Sequence, residues 1–337
     1  MTLSPVEAAP KAELHIHLEG SLEPDMLLAL AARNKVAIRY KNADDLRAAY
    51  NFANLQEFLE LYWQGQSVLL TERDFYDLTH AYLTRAHRDN VVHAEAYILP
   101  QGHTPRGVPI GAVLDGALAA FEDARHALGI TGGLILGLNR HESEDAALDV
   151  VRQAMPWRDK ILALGLEGPE KGNPPAKFTR VYDQARALGW RLTAHAGEEG
   201  PAAYIAEALD TLRVERIDHG VRCEQDPALV RRLAEARVPL TVCPLSNVML
   251  KVFPALSQHN LARLLRAGLC VTVNSDDPPY FGGYVNANYT GASGALGLSA
   301  AEQRQIVRNG FEAAFIDDAL RARYLRDLDL AWPVGAA

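Results

Sequence analysis

The chain has 337 residues, of which 48% are hydrophobic and 23% charged, an ordinary composition for a globular protein with a sizeable core. Its 42 acidic and 34 basic residues give a formal net charge of −8, and no Lys/Arg block is interleaved with aromatic residues, so a nucleic-acid surface is not expected. Residues 1–10 lack the basic and apolar regions typical of a signal peptide, and no apolar run reaches membrane-spanning length, so neither export nor membrane insertion is expected. The odd number of cysteines (Cys223, Cys243 and Cys270) argues against a disulfide framework and favours a reducing cytoplasm.

Short β-rich runs alternate with longer segments of helical period along the chain. We predict strands at residues 12–18, 91–99, 133–138, 161–166, 191–196, 216–219, 240–243 and 269–274. Helical segments lie between them, as at 24–33, 112–128, 175–188 and 227–236. Repeated βα units imply parallel strands, and eight of them favour a closed (β/α)₈ barrel over an open doubly wound sheet, which is the alternative.

The segment from residue 42 to 90 is too long for one crossover helix, and we interpret it as an inserted helical lid after the first strand. Its large apolar residues recur at helical spacings: Phe52, Leu55, Phe58, Tyr62 and Trp63. Most of these aromatic residues are expected to be ordinary core. Because no repeat, low-complexity tract or Gly/Ser linker interrupts the chain, residues 1–337 are predicted to form a single domain.

His15 and His17 stand at the end of the first predicted strand. In a β-strand, residues two apart point to the same face, so both imidazoles can reach one point in space. Two neutral imidazoles that converge make half of a metal site. Taken alone the pair is weak evidence, because histidines also occur on surfaces and in cores.

The remaining candidate ligands stand at the ends of later strands. His195 lies in the fifth strand, His219 ends the sixth, and Asp276 follows the eighth. In (β/α)₈ barrels the active site lies at the C-terminal ends of the strands, so residues distant in sequence meet at one mouth. We therefore predict that His15, His17, His195 and Asp276 hold one zinc ion that keeps an open position for water.

Such a zinc ion lowers the pKa of a bound water to about 7, so hydroxide is available at neutral pH. The site is therefore suited to hydrolysis and not to redox chemistry. Glu198 follows the third histidine in a short Ala-Gly turn, where its carboxyl can act as a general acid. His219 precedes Gly220 and is either a fourth ligand or a base and electrostatic partner for the water; the sequence leaves this choice open. Asp276 and Asp277 alternate in direction, so one is predicted to bind metal and the other substrate.

The other histidines carry no comparable motif. His93 and Glu95 match half of the zinc nucleobase-deaminase signature, but no Pro-Cys-x-x-Cys follows them, so we interpret them as residues on one face of a strand. Surface positions or supporting positions behind the site are expected for His80, His87, His103, His126, His141 and His259.

These strings resemble the adenosine/adenine deaminase family of the amidohydrolase superfamily. The matching stretches are residues 10–20, 193–198, 218–220 and 274–278, and the resemblance covers nearly the whole chain. It implies a (β/α)₈ barrel with one zinc ion per subunit and hydrolysis of the 6-amino group of a purine. The implied zinc ligands are His15, His17, His195 and Asp276. The resemblance further implies that Glu198 protonates purine N1, that His219 lies beside the attacking water and that Asp277 bonds N7.

The identity of the purine is less sharply defined. Residues 51–58, 71–78, 172–175 and 243–247 resemble the adenine deaminase branch, which takes the free base, so adenine is the expected substrate. However, Gly168 and Pro169 stand where that branch has a Ser-Ser pair, and residues 97–100 lack its Phe-Phe-Asp-Pro pattern. A glycine there resembles the nucleoside-accepting branch. An N9-substituted purine, such as adenosine or aminodeoxyfutalosine, is therefore the alternative substrate.

Two other classes of protein are alternatives: a hydrolase of the same barrel that acts on a cyclic amide or ester, and a purine-binding protein without catalysis. Glu198 and His219 argue against the second class, because binding alone needs neither a proton donor nor a base. The expected partner is a small purine molecule, with no nucleic acid and no membrane.

Overall fold

The computed structural model describes residues 3–335, and its centre is a barrel of parallel strands. The strands are β1 (Lys11–His17), β2 (Val91–Ile98), β3 (Thr131–Asn139), β4 (Ile161–Glu167), β5 (Arg191–Ala196), β6 (Arg216–His219), β7 (Pro239–Val242) and β8 (Cys270–Val273). Each strand pairs in parallel with the next one along the chain. A bridge between Ile16 and Asp276 joins the two end strands, so the predicted (β/α)₈ barrel is confirmed.

Helices surround this barrel and cover its mouth. Within the described residues the α-helices are α1 (Pro5–Ala8), α2 (Pro24–Asn34), α3 (Ala43–Ala48), α4 (Leu55–Gln66), α5 (Glu72–Arg88), α6 (Ile110–Ala127), α7 (Glu144–Ala154), α8 (Thr179–Ala187), α9 (Ala202–Glu207), α10 (Pro227–Glu235), α11 (Pro244–Met249), α12 (Leu261–Arg266), α13 (Pro278–Phe281), α14 (Val285–Leu296), α15 (Ala300–Ala313) and α16 (Asp318–Ala331).

Helix α10 illustrates how the sequence produces a barrel helix. The side chain of Asp226 accepts hydrogen bonds from the backbone N–H groups of Ala228 and Leu229, at 2.9 and 3.3 Å, and a proline follows at the first helical position. Such an N-cap stabilises a helix by about 1 kcal/mol. Leu229 and Leu233, one turn apart, are buried in the main core between helices and strands.

The predicted helical insertion lies between β1 and β2. Asn54 caps α4 by accepting the backbone N–H of Glu57 at 3.1 Å. Phe58 and Tyr62 of α4 pack against Tyr280 in an apolar cluster that is separate from the barrel core. Helix α4 therefore lies over the mouth of the barrel, in the position expected of a lid.

The insertion ends earlier than predicted. Phe75 and Tyr82 of α5 belong to the main barrel core, and α5 leads directly into β2. It is therefore the crossover helix of the first βα unit and not part of the lid. Helical period alone does not distinguish these two roles, because both kinds of helix bury one apolar face.

The three cysteines are buried and none is bonded to another. From residue 3 to residue 335, the structure has no helix with the length and apolar character needed to cross a bilayer.

Candidate metal centre and active site

The C-terminal ends of the strands bring the predicted site residues to one mouth of the barrel. His15 and His17 lie at the end of β1, His195 near the end of β5 and His219 at the end of β6, while Asp276 follows β8. All of them are buried, with at most 6% of their surface exposed. The barrel thus joins residues that stand far apart in the sequence, as its geometry requires.

Asp276 lies at the centre of this group. Its Oδ1 is 3.4 Å from His15 Nε2 and 3.3 Å from His17 Nε2. Ligand atoms held about 2.0–2.2 Å from a tetrahedral zinc ion lie about 3.3–3.6 Å apart, so both distances suit ligands of one ion. The ring centroid of His195 is 4.6 Å from that of His15 and 5.3 Å from that of His17.

Hydrogen bonds behind His15 leave one of its ring nitrogens free. Thr241 Oγ1 donates to Asp218 Oδ1 at 2.7 Å, so it can accept the Nδ1–H of His15 at 3.0 Å. His15 Nε2 then carries a lone pair, and within residues 3–335 this buried atom has no hydrogen-bond partner. A buried polar atom is costly to leave unpaired. The orphaned nitrogen and the three-histidine, one-carboxylate donor set therefore fit a metal ion.

Glu167, at the end of β4, supports the second histidine. His17 Nδ1 donates to Glu167 Oε2 at 2.9 Å, which turns Nε2 of the same ring toward Asp276. No pattern in the sequence predicts this role of Glu167. A carboxylate that supports a ligand from another strand leaves no spacing pattern along the chain.

Glu198 lies in the turn after β5, and Glu170 holds that turn in place. The carboxylate of Glu170 accepts the backbone N–H groups of Gly197 and Glu198 at 2.9 and 2.8 Å. Burial, together with the nearby carboxylate of Asp276, raises the pKa of Glu198 well above its usual range. This shift favours the protonated form of Glu198, which is the form that a general acid needs. Glu170 is a second supporting residue that sequence reasoning missed.

His219 faces the site from the end of β6. Its Nε2 is 3.7 Å from Glu198 Oε2 and 3.8 Å from Asp276 Oδ2, whereas His15 and His17 lie near the other carboxylate oxygen, Oδ1. The backbone φ of His219 is 64°, a left-handed conformation that is uncommon outside glycine, and Gly220 continues the turn with φ 71°. Burial lowers the pKa of His219 to about 3, so its ring is neutral.

Asp277 points into the same cavity. It is 4% exposed, and its Oδ1 has no hydrogen-bond partner in the described part of the chain. Burial and the neighbouring charge of Asp276 raise the pKa of Asp277 well above its usual range, so the side chain can donate a proton in a hydrogen bond. Gly20 makes room for it, because a Cβ at position 20 would lie 1.7 Å from Asp277 Oδ1.

Side-chain hydrogen bonds also join β1 to the residues that follow β8, where the barrel closes. Leu14 N–H donates to Asn274 Oδ1 at 2.9 Å, and Ser275 N–H donates to Glu13 Oε1 at 3.1 Å. Asp276 itself exchanges backbone hydrogen bonds with β1, at 3.0 and 3.1 Å. These bonds set the spacing between the ligands of β1 and the carboxylate that follows β8.

The cavity above these residues has a polar floor and an apolar cover. The cover consists of Leu55, Phe58, Leu59 and Tyr62 from α4, together with Leu250. His93 and Glu95 lie on one face of β2, as predicted. They bond each other inside the barrel at 3.0 Å and do not line this cavity.

A (β/α)₈ barrel with a buried His/Asp cluster at its strand ends, and with a buried glutamate of raised pKa beside that cluster, defines a metal-dependent hydrolase. The family model described as adenosine deaminase matches residues 10–330. An adenine deaminase of Trichlorobacter lovleyi is 56% identical over 321 residues, which cover 95% of this chain and 92% of the relative. The chain belongs to the adenosine deaminase family.

Two solved structures are also similar. A crystal structure of adenine deaminase from Arthrobacter aurescens has a TM-score of 0.94 and 46% identity, and the match covers 96% of this chain and 99% of the other. An amidohydrolase from Burkholderia ambifaria with bound Zn has a TM-score of 0.88 and 28% identity, with 98% and 95% of the two chains covered.

Proposed function

We propose that this chain is a single-domain adenine deaminase that converts adenine and water to hypoxanthine and ammonia with one zinc ion per subunit. The observation that carries the proposal is that one buried cavity brings together a cluster of candidate metal ligands, the Glu198 carboxyl with its raised pKa, and Asp277, whose Oδ1 has no hydrogen-bond partner within residues 3–335. The names and high identities of its relatives favour adenine over other 6-aminopurines.

Zinc would be held by His15, His17, His195 and Asp276. When bound, it supplies Lewis-acid activation of the attacking water at neutral pH. The Zn in the related amidohydrolase structure supports this choice of metal.

Glu198 protonates the purine ring, and Asp277 orients it. The water oxygen adds to C6 while Glu198 gives its proton to N1. The two protons of the water go to the carboxylate of Glu198, which becomes an acid again, and to N6. The C6–N6 bond then breaks, the nitrogen leaves as ammonia, and the C6 carbonyl of hypoxanthine forms. Asp277, whose pKa is raised by burial and by the charge of Asp276, donates a hydrogen bond to N7 and orients the base. His219 lies next to Glu198 and holds the attacking water.

The apolar cover excludes bulk water from this chemistry. Phe58 and Tyr62 are each 4% exposed, and they close the cavity over the polar floor. A planar base can lie beneath them with its polar edge toward the floor. In such a dry site, hydrogen bonds to the purine are stronger than they are in water.

A parallel ultraviolet assay of the zinc-loaded protein on adenine, adenosine and aminodeoxyfutalosine tests the choice of substrate. We expect kcat/KM for adenine to exceed the other two values by about 100-fold or more, because a site built around the free base leaves no partner for a sugar. A preference for either nucleoside would contradict the proposal and would direct attention to Gly168, which lines the cavity with φ 92°.

Gly20→Ala is expected to raise KM for adenine and to lower kcat/KM by about 10–100-fold. The new Cβ would collide with Asp277 Oδ1, and displacing that carboxyl removes a buried hydrogen bond of about 1–3 kcal/mol. Metal content should stay at the wild-type level. Gly294→Ala is the matched control, since a Cβ there meets no atom within 4 Å. Unchanged kinetics for Gly20→Ala would refute the role of Asp277.

A further inference from the structure

His219 lies at the inner end of a row of buried polar groups that leads away from the cavity. Leu261 N–H donates to His259 Nδ1 at 3.0 Å. His259 Nε2 is 3.1 Å from Asn247 Oδ1, and Asn247 Nδ2 is 3.3 Å from His219 Nδ1. The three side-chain members of the row are at most 1% exposed, so water competes poorly for these bonds.

A backbone group fixes the direction of every bond in this row. Because the N–H of Leu261 can only donate, His259 Nδ1 must accept, and the hydrogen of the neutral ring is left on Nε2. His259 Nε2–H then donates to Asn247 Oδ1, and the amide N–H of Asn247 donates to His219 Nδ1. A flipped Asn247 amide would set its own N–H against the N–H of His259, so the network excludes that orientation.

We propose that Asn247 and His259 are positioning residues that fix the tautomer of His219, so that His219 presents an Nε2–H donor to the reacting groups. Its Nδ1 lone pair is occupied by Asn247, and its Nε2 faces Glu198 Oε2 and Asp276 Oδ2. In the deamination proposed above, on which this step rests, His219 holds the attacking water by donating a hydrogen bond. The alternative role as a base requires a lone pair on Nε2, which this tautomer lacks.

Nitrogen NMR of protein labelled with ¹⁵N-histidine reads this tautomer directly. Protonated and unprotonated ring nitrogens resonate far apart, so His219 should show a bare Nδ1 and a protonated Nε2, in both the zinc-free and the zinc-loaded protein. Asn247→Asp should reverse the pattern, because a carboxylate can only accept the Nδ1–H of His219. Wild-type protein with the hydrogen of His219 on Nδ1 would overturn the proposal.

Kinetics supply the second arm of the test. We expect Asn247→Asp to lower kcat on adenine by about 10–100-fold with little change in KM, the range seen when outer partners of a metal site are removed. Asn260→Asp is the matched control: Asn260 is equally buried and bonds Val221 O at 2.7 Å, so it loses a buried donor outside the row. Equal kcat values for the two variants would refute the proposal.

His259→Leu keeps the test decisive if Asn247→Asp does not fold. Its loss frees the Asn247 amide to turn, and His219 should then show both tautomers and a lower kcat. A single unchanged tautomer would overturn the proposal. Wild-type protein without activity on adenine would instead contradict the proposed function and would leave the tautomer measurement valid.

Discussion

Glu198→Gln is expected to keep its metal and to lose kcat on adenine by about 10²–10⁴-fold, the usual contribution of a general acid. The amide has nearly the same shape as the carboxylic acid but holds no proton that it can give to N1. Because kcat should fall while KM changes little, the lost interaction belongs to the transition state. Loss of adenine absorbance gives kcat, and metal analysis of the same sample gives the zinc content.

Glu199→Gln provides the control for this change. Glu199 is the next residue along the chain, and its carboxylate pairs with Lys171 at 3.0 Å near the surface. The same chemical substitution should therefore leave kcat close to the wild-type value. If Glu198→Gln also turned over adenine at a near-normal rate, the assignment of the acid would be wrong.

Much of the site could be predicted from the sequence because its residues occupy repeating positions. His15 and His17 are two apart in a strand, and His219 and Asp276 stand at the ends of other strands. Once eight βα units are recognised, the barrel brings all strand ends to one mouth. Local pattern and global fold thus point to the same residues.

Other parts of the site leave no local pattern. Glu167, Glu170 and Asn247 act through contacts with residues that are distant in the sequence, and only the folded chain shows which residues each one meets. Gly20 is needed because Asp277 occupies the space that a side chain at position 20 would fill. The lid was predicted to include α5, which instead packs on the barrel core. Helical period reveals that a helix has an apolar face but does not show which surface that face packs against.

The sequence also left open whether His219 is a metal ligand. In the structure, both His17 and His219 lie close enough to Asp276 to be considered as its fellow ligands. His219 belongs to a group of four candidate ligands: His15, His195, His219 and Asp276. The ligand atoms of this group all lie within 4.8 Å of one another. In a second group His17 joins Asp276 and Asp277. The shorter distances favour His17, because its Nε2 is 3.3 Å from Asp276 whereas that of His219 is 3.8 Å away.

His17→Ala is therefore expected to weaken zinc binding by more than about 100-fold, beyond the range for residues that only support a ligand. His219→Ala should bind zinc within a few-fold of wild type and lose turnover, since the His219 side chain lies beside Glu198 and Asp276 Oδ2 and not beside Oδ1, which is near His15 and His17. Competition with a chromophoric chelator measures both affinities without relying on activity. The opposite result, with zinc lost from His219→Ala and retained by His17→Ala, would make the four-residue group the metal site and would leave His17 as a residue of the cavity wall beside Glu167.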